Sequence, residues 1–219
     1  MLDVRRLDET KEKLIKNCKK CDGGCVSCLN YCAYIEKMAI ANIPADYWFR
    51  EMRVFYGDKR FAGKVNEYIV EIDKSFSKNK SLCFTGHPGT GKTMAACNIL
   101  KAGILKKYST FYVTLSQVVN DLIGGDQLTK VKLMESDFLV LDEVDQRFFP
   151  TAGGKELFGN MFEYVMRTRS HRMKPIIMCT NSVDTSKIFD GAYGQMFASL
   201  KSQFMTELFA GGKDARRLD

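Results

Sequence analysis

The chain has 219 residues, 45% of them hydrophobic and 27% charged, with a net charge of +7 at pH 7. That length supports one well-buried α/β domain plus a small extra module, and the composition excludes a disordered or collagen-like chain. No apolar run reaches the roughly 18 residues of a membrane-spanning helix, and the opening MLDVRRLDETKEKLIKN lacks the apolar stretch of a secretory leader, so a cytoplasmic protein with no membrane partner is expected. The positive balance fits an anionic partner such as nucleic acid, and equally an ordinary basic surface.

The first feature along the chain is CKKCDGGCVSCLNYC, in which Cys18, Cys21, Cys25, Cys28 and Cys32 form a C-x₂-C-x₃-C-x₂-C-x₃-C array. In a reducing compartment such crowding reads as metal ligation rather than disulfides. Each C-x₂-C pair can set two thiolates about one centre, and Zn²⁺ takes four such ligands while organising a segment too small for a core of its own. Cys18, Cys21, Cys25 and Cys28 are the simplest quartet, with Cys32 able to replace Cys25 or Cys28. An iron–sulfur cluster is the alternative, although the proline of ferredoxin runs is absent. Cys83, Cys97 and Cys179 lie in apolar segments and read as small core hydrophobes.

The composition shifts near residue 80. Before it, Val65, Tyr68, Ile69, Ile72 and Phe76 recur at helical spacing. After it, apolar strands alternate with helices. SLCFTG, TFYVTL, DFLVLDE and PIIMCTN read as strands, residues 92–107 and 155–170 as amphipathic helices, Ser116 as the cap of a short helix, and the tail as mostly helical. This alternation predicts a parallel sheet with helices on both faces, a three-layer α/β architecture. The organisation expected is a cysteine-rich module over 1–40, a linker and helix over 41–79, and a nucleotide-binding core over 80–219.

FTGHPGTGKT, residues 84–93, completes the G-x-x-x-x-G-K-[ST] pattern between a predicted strand and a predicted helix. Gly86, His87, Pro88, Gly89, Thr90, Gly91, Lys92, Thr93 and Met94 would form the nucleotide-binding loop. Glycines let backbone amides turn toward the phosphates, Lys92 supplies a point charge, and the Thr93 hydroxyl suits Mg²⁺. His87 is expected to be neutral and packed in the turn. In FLVLDEVD, Asp142 and Glu143 end a strand as a Walker B pair, Asp142 holding Mg²⁺ and Glu143 polarising the attacking water. Asn181 closes the strand PIIMCTN, where a polar side chain can orient that water. Together, Lys92, Glu143 and Asn181 are the catalytic candidates for ATP hydrolysis.

In the order and spacing of these motifs, over about residues 40–216, the chain resembles AAA+ ATPases of the bacterial and phage replicative helicase loader group, DnaC/DnaI-like and related to the IstB transposition ATPases. ANIPADYW resembles that group's GIP-x-x-Y entry, LVLDEVDQR its Walker B, and Arg169, twelve positions before Asn181, an arginine often found there. The short end after FAGGKDARR matches loaders without a separate lid domain. The resemblance implies an ATPase that engages a hexameric replicative DNA helicase through its N-terminal module, binds single-stranded DNA and self-assembles through its core. It also implies two alternatives: a transposition helper on DNA, and a nucleotide-gated helicase-binding module with little turnover.

One departure stands out. Such assemblies complete each site with an arginine from the next subunit, but the corresponding stretch here, YGQMFASLKSQF, offers only Lys201, which cannot reproduce a bidentate guanidinium. Lys201, one of Arg167, Arg169 and Arg172, or no group at all would then fill the role. Arg216 reads as a nucleotide sensor or a solvated residue. Arg169, Arg172 and Lys174, with Lys130 and Lys132, are the candidate DNA contacts. Trp48, Phe49, Phe55 and Tyr56 read as packing for the linker or as a stacking surface.

Overall fold

A computed structural model describes residues 4–16, 25–145, 155–185, 191–212 and 214. Five strands form one sheet in which every pairing is parallel: β1 (Ser81–Thr85), β2 (Thr110–Thr114), β3 (Phe138–Asp142), β4 (Ile176–Cys179) and β5 (Met205–Phe209), in the order β2-β3-β4-β1-β5. β1, β3 and β4 are buried along their whole length, as a parallel sheet covered on both faces requires. β5 was hidden from sequence reading because its MTELF pattern is only half-buried at the sheet edge and follows directly on α9 (Gly191–Phe204).

Alternation along the strands divides the core in two. On one face Leu82, Phe84, Phe138, Val140 and Ile177 pack with α5 (Lys92–Leu105) through Ala96, Ile99 and Leu100. On the other, Cys83, Leu139, Leu141 and Met178 pack with α6 (Leu115–Ile123), α7 (Gln127–Glu135) and α8 (Lys155–His171). Cys83, Cys97 and Cys179 are buried in these layers, and burial pushes their thiols up, Cys83 to about 12. They behave as small hydrophobes.

The segment before the sheet adds α1 (Val4–Lys16), α2 (Val26–Ile40), α3 (Lys59–Val70) and α4 (Ile72–Ser77). Val65, Tyr68 and Ile72 face the core, and the Asp58 side chain caps α3 by accepting from the Arg60 and Phe61 amides, an arrangement worth about 1 kcal/mol. Ile35 and Met38 of α2 join the same cluster as Ile99 and Phe84, so the second half of α2 is docked on the nucleotide-loop helix. Trp48 is buried with its indole N–H donated to the Ile43 carbonyl at 2.8 Å, which pins the linker as packing. Helix α6 begins one residue before Ser116: the cap is Thr114, whose hydroxyl accepts from the Gln117 amide.

Candidate active site

The loop 86–91 leaves the carboxyl end of β1 and enters α5 at Lys92. Gly91 has φ 87° and Gly89 φ 78°, left-handed values costly for any residue with a Cβ. Space imposes the same demand. A Cβ at Gly91 would run into the Phe55 ring, and one at Gly89 into the Asp214 carboxylate. The loop is therefore flanked by an aromatic face on one side and an oxyanion on the other. Thr90 Oγ1 donates to the His87 carbonyl at 2.8 Å, and Lys92 Nζ donates to the carbonyls of Gly86 (2.8 Å) and His87 (2.7 Å). Lys92 is almost fully buried, its ammonium resting on the loop just before a helix N-terminus. Amides and a cation converge here, which is the donor set a phosphate group requires. That a carboxylate already lies against Gly89 fits the same preference for anions.

Asp142 is the last residue of β3, paired in register with Thr114 of β2, and is 4% exposed. Its two oxygens are oriented separately: Oδ2 accepts from the Tyr112 hydroxyl at 2.7 Å, and Oδ1 from the Glu143 amide at 2.7 Å. Burial, with the Asp142 charge adding to it, pushes the Tyr112 phenol far up, so it is a donor at neutral pH. Glu143 is exposed and adopts φ 53°, a left-handed conformation uncommon outside glycine. The chain thus turns sharply after Asp142 and leaves Glu143 exposed. Thr93 follows Lys92 in α5, and Tyr47 ends the short helix Ala45–Tyr47 that packs against α5. The segment carrying Tyr47 is itself fixed from α5, because Lys101 Nζ donates to the carbonyls of Tyr47 and Arg50, and Asn98 to that of Arg50. Burial lowers the Lys101 pKa.

Asn181 is half-buried two residues beyond β4, the strand between β3 and β1. Its position is therefore at the carboxyl edge, between the loop and Asp142. In open parallel sheets that edge is where ligands are held.

Other candidates are drawn elsewhere. Arg169 is fully buried at the opposite end of the sheet. It donates to the carbonyls of Leu133 and Ser136 (2.8 and 2.9 Å), of Asp137 (3.3 Å) and of Pro175 (2.9 Å), closing the end of α7 and the entries of β3 and β4. Burial brings its guanidinium down to about 9, still charged at neutral pH. Arg169 is therefore a structural bolt, and neither a finger nor a DNA contact. Arg172 and Lys174 are likewise engaged, by the Glu135 side chain and the Glu135 carbonyl, and Arg167 pairs with Glu163 one helical turn away. Lys201 contacts Glu207 and Thr185, tying α9 to β5. Lys132 lies 5.2 Å over the Phe111 ring, and Lys130 is half-buried on α7. Phe49 and Tyr56 are exposed, Phe49 stacked on Tyr31 at 6.4 Å.

Of the cysteine array, Cys25 caps α2, and its Sγ lies 3.5 Å from that of Cys28, with Cys32 a turn further on. Cys18, Cys21 and Arg216 lie outside the described residues. Among the described residues no three His, Cys, Asp or Glu side chains gather as a metal-binding group, and no helix is long and apolar enough to cross a membrane.

Sequence reading missed Tyr112, Tyr47, Phe55 and Asp214 as neighbours of the loop and of Asp142. For Tyr112 a signal existed: a phenol inside an otherwise apolar buried strand needs a partner for its hydroxyl. For Asp214 none did, since its approach to Gly89 depends on the path of the chain after β5.

Comparison with known proteins agrees with this geometry. A family model described as IstB-like ATP binding protein matches residues 58–183. An ATP-binding protein of insertion sequence IS5376 from Geobacillus stearothermophilus is 28% identical over 111 residues, 48% of this chain and 41% of that relative. The match thus spans less than half of that relative's length. Among solved structures, DnaI superposes with a TM-score of 0.64 at 12% identity, covering 78% of this chain and 93% of that one. The DnaC helicase loader gives 0.56 at 18% identity, covering 76% and 99%. AMPPCP-bound DnaA from Aquifex aeolicus gives 0.58 at 19%, covering 76% and 51%. These likenesses share the fold of an α/β P-loop nucleotide-binding core, and on the family match the chain belongs to the IstB-like ATP binding proteins.

Proposed function

We propose that this chain is an ATP-hydrolysing switch of the helicase-loader kind, which engages a hexameric replicative helicase and helps place it on single-stranded DNA. The observation that carries the reading is the meeting of three groups at the carboxyl ends of adjacent strands: the Lys92 loop after β1, Asp142–Glu143 after β3, and Asn181 after β4. The loop amides of 86–94 and Lys92 bind the phosphates, with Lys92 exchanging its loop carbonyls for phosphate oxygens. Thr93 and Asp142 would hold Mg²⁺, which would neutralise charge on the phosphates. Glu143, exposed just beyond the end of β3, takes up a proton from the attacking water, and Asn181 orients that water. Phe55, Ala210 and Asp214 border the loop.

The N-terminal segment is the proposed partner-binding module. Cys25 and Cys28 present two sulfurs at 3.5 Å, close enough to share one ion. With Cys18 and Cys21, or with Cys32 in place of one of the four, they would bind Zn²⁺, an iron–sulfur cluster being the alternative. The exposed apolar side chains Val26 and Leu29 lie on the same helix.

The second reading, a helper ATPase on duplex DNA in transposition, is favoured by the family match and by the insertion-sequence relative. Against it stands the engagement of Lys201 by Glu207 within the same chain, which occupies the cation expected to reach a neighbouring site. Turnover and binding measured with a replicative helicase, with single-stranded DNA and with duplex DNA separate the two. A loader is captured by helicase and stimulated by helicase or single strands. Filaments on duplex DNA without helicase binding would establish the transposition reading, and capture without any turnover would establish an inert plug.

A further inference from the structure

Asp142 is oriented before any ion arrives. Its Oδ2 is held by the Tyr112 hydroxyl at 2.7 Å, with both residues buried, and its Oδ1 by the Glu143 amide. Tyr112 reaches it from the neighbouring strand: Thr114 pairs with Asp142, and Tyr112, two residues earlier, projects on the same face of the sheet, that of α5. A carboxylate has about four lone-pair positions, so two remain for an ion or its water after these bonds are made.

We infer that Tyr112 is a positioning residue for the magnesium seat, fixing the rotamer of Asp142 so that its outward lone pairs meet the ion held between Thr93 and the nucleotide. Partners of metal-binding carboxylates act in this way by removing the reorganisation that binding would otherwise require. The inference rests on the ATP–Mg²⁺ reading of the loop.

The test is the magnesium dependence of nucleotide affinity in the full chain. A fluorescent non-hydrolysable ATP analogue is titrated with Mg²⁺ present and with EDTA. In Tyr112→Phe, which keeps the ring and removes only the hydroxyl, the Mg²⁺-dependent gain in affinity should shrink by about 10-fold, whereas affinity in EDTA should match wild type. Combined with Asp142→Asn, the tyrosine change should add little further loss, because it acts through that carboxylate. An unaltered Mg²⁺ gain in Tyr112→Phe, or an equal fall with and without Mg²⁺, would overturn the inference. Absence of binding by wild type would instead overturn the nucleotide reading. Should the variant melt too low, ¹⁹F NMR of wild type carrying 3-fluorotyrosine replaces it. A tyrosine resonance should move with Mg²⁺ and analogue but not with analogue in EDTA, and a spectrum indifferent to Mg²⁺ would count against the assignment.

Discussion

Lys92 and Arg169 are both nearly inaccessible cations resting on backbone carbonyls, yet they lie at opposite ends of one sheet. Arg169 sits at the amino ends of β3 and β4, where it meets the carbonyls of Leu133, Ser136, Asp137 and Pro175. Lys92 sits at the carboxyl end of β1, where its neighbours are a glycine loop and a helix N-terminus, with Asp142 at the same edge two strands away. One cation closes a structure and the other attends an anion site. The difference lies in the partners each end of the sheet provides, and not in the charges themselves. A run such as RTRSHRMK is therefore poor evidence of a DNA surface until the acceptors around it are known.

The comparison breaks most decisively at Arg169. Arg169→Ala leaves buried carbonyls without a donor and should cost about 3–5 kcal/mol in denaturant unfolding, while nucleotide affinity of the folded fraction stays at the wild-type value. Loss of affinity without loss of stability would place Arg169 in the active site after all. Lys92→Ala should behave oppositely, with analogue affinity in a calorimetric titration falling about 100-fold, or ~3 kcal/mol, and the unfolding midpoint hardly moving. A smaller effect sharpens the picture of the loop. The Asp214 carboxylate against Gly89 repels phosphate, so Asp214→Asn should raise analogue affinity about 3- to 10-fold, an advantage that narrows as salt is added. A decrease on substitution would mean that Asp214 assists binding. The smallest effect belongs to Arg167, an exposed cation paired with Glu163: Arg167→Ala should shift stability by less than about 0.5 kcal/mol and leave affinity alone.

Much of this arrangement was legible in the residues. Apolar strands alternating with amphipathic helices announce a parallel sheet, and glycine spacing before Lys92 marks the phosphate loop because few other residues fit such a turn. Asp142 and Asn181 could be placed because strand ends in such a sheet share one edge. What escaped depends on tertiary context. β5 carries Thr206 and Glu207 in a strand exposed at the sheet edge, so its pattern lacks the apolar run of the central strands. Helix α2 holds Cys28 and Cys32 inside a regular helix whose apolar side is recognised only once α5 lies against it. The burial of Arg169 was invisible because an arginine at a helix end reads as solvated until the neighbouring carbonyls are in place. Tyr112 holds Asp142 through a contact spanning 30 residues of chain, beyond the reach of any local pattern.

In the proposed mechanism, ATP bound at the Lys92 loop is cleaved with Glu143 as the proton acceptor. Release of phosphate from ATP by wild type and by Glu143→Gln, each at a nucleotide concentration shown to saturate it, tests this directly. Binding should be unchanged and turnover lowered at least about 100-fold in the variant. Equal turnover in the two proteins, or hydrolysis that persists while the loop binds no nucleotide, would contradict it.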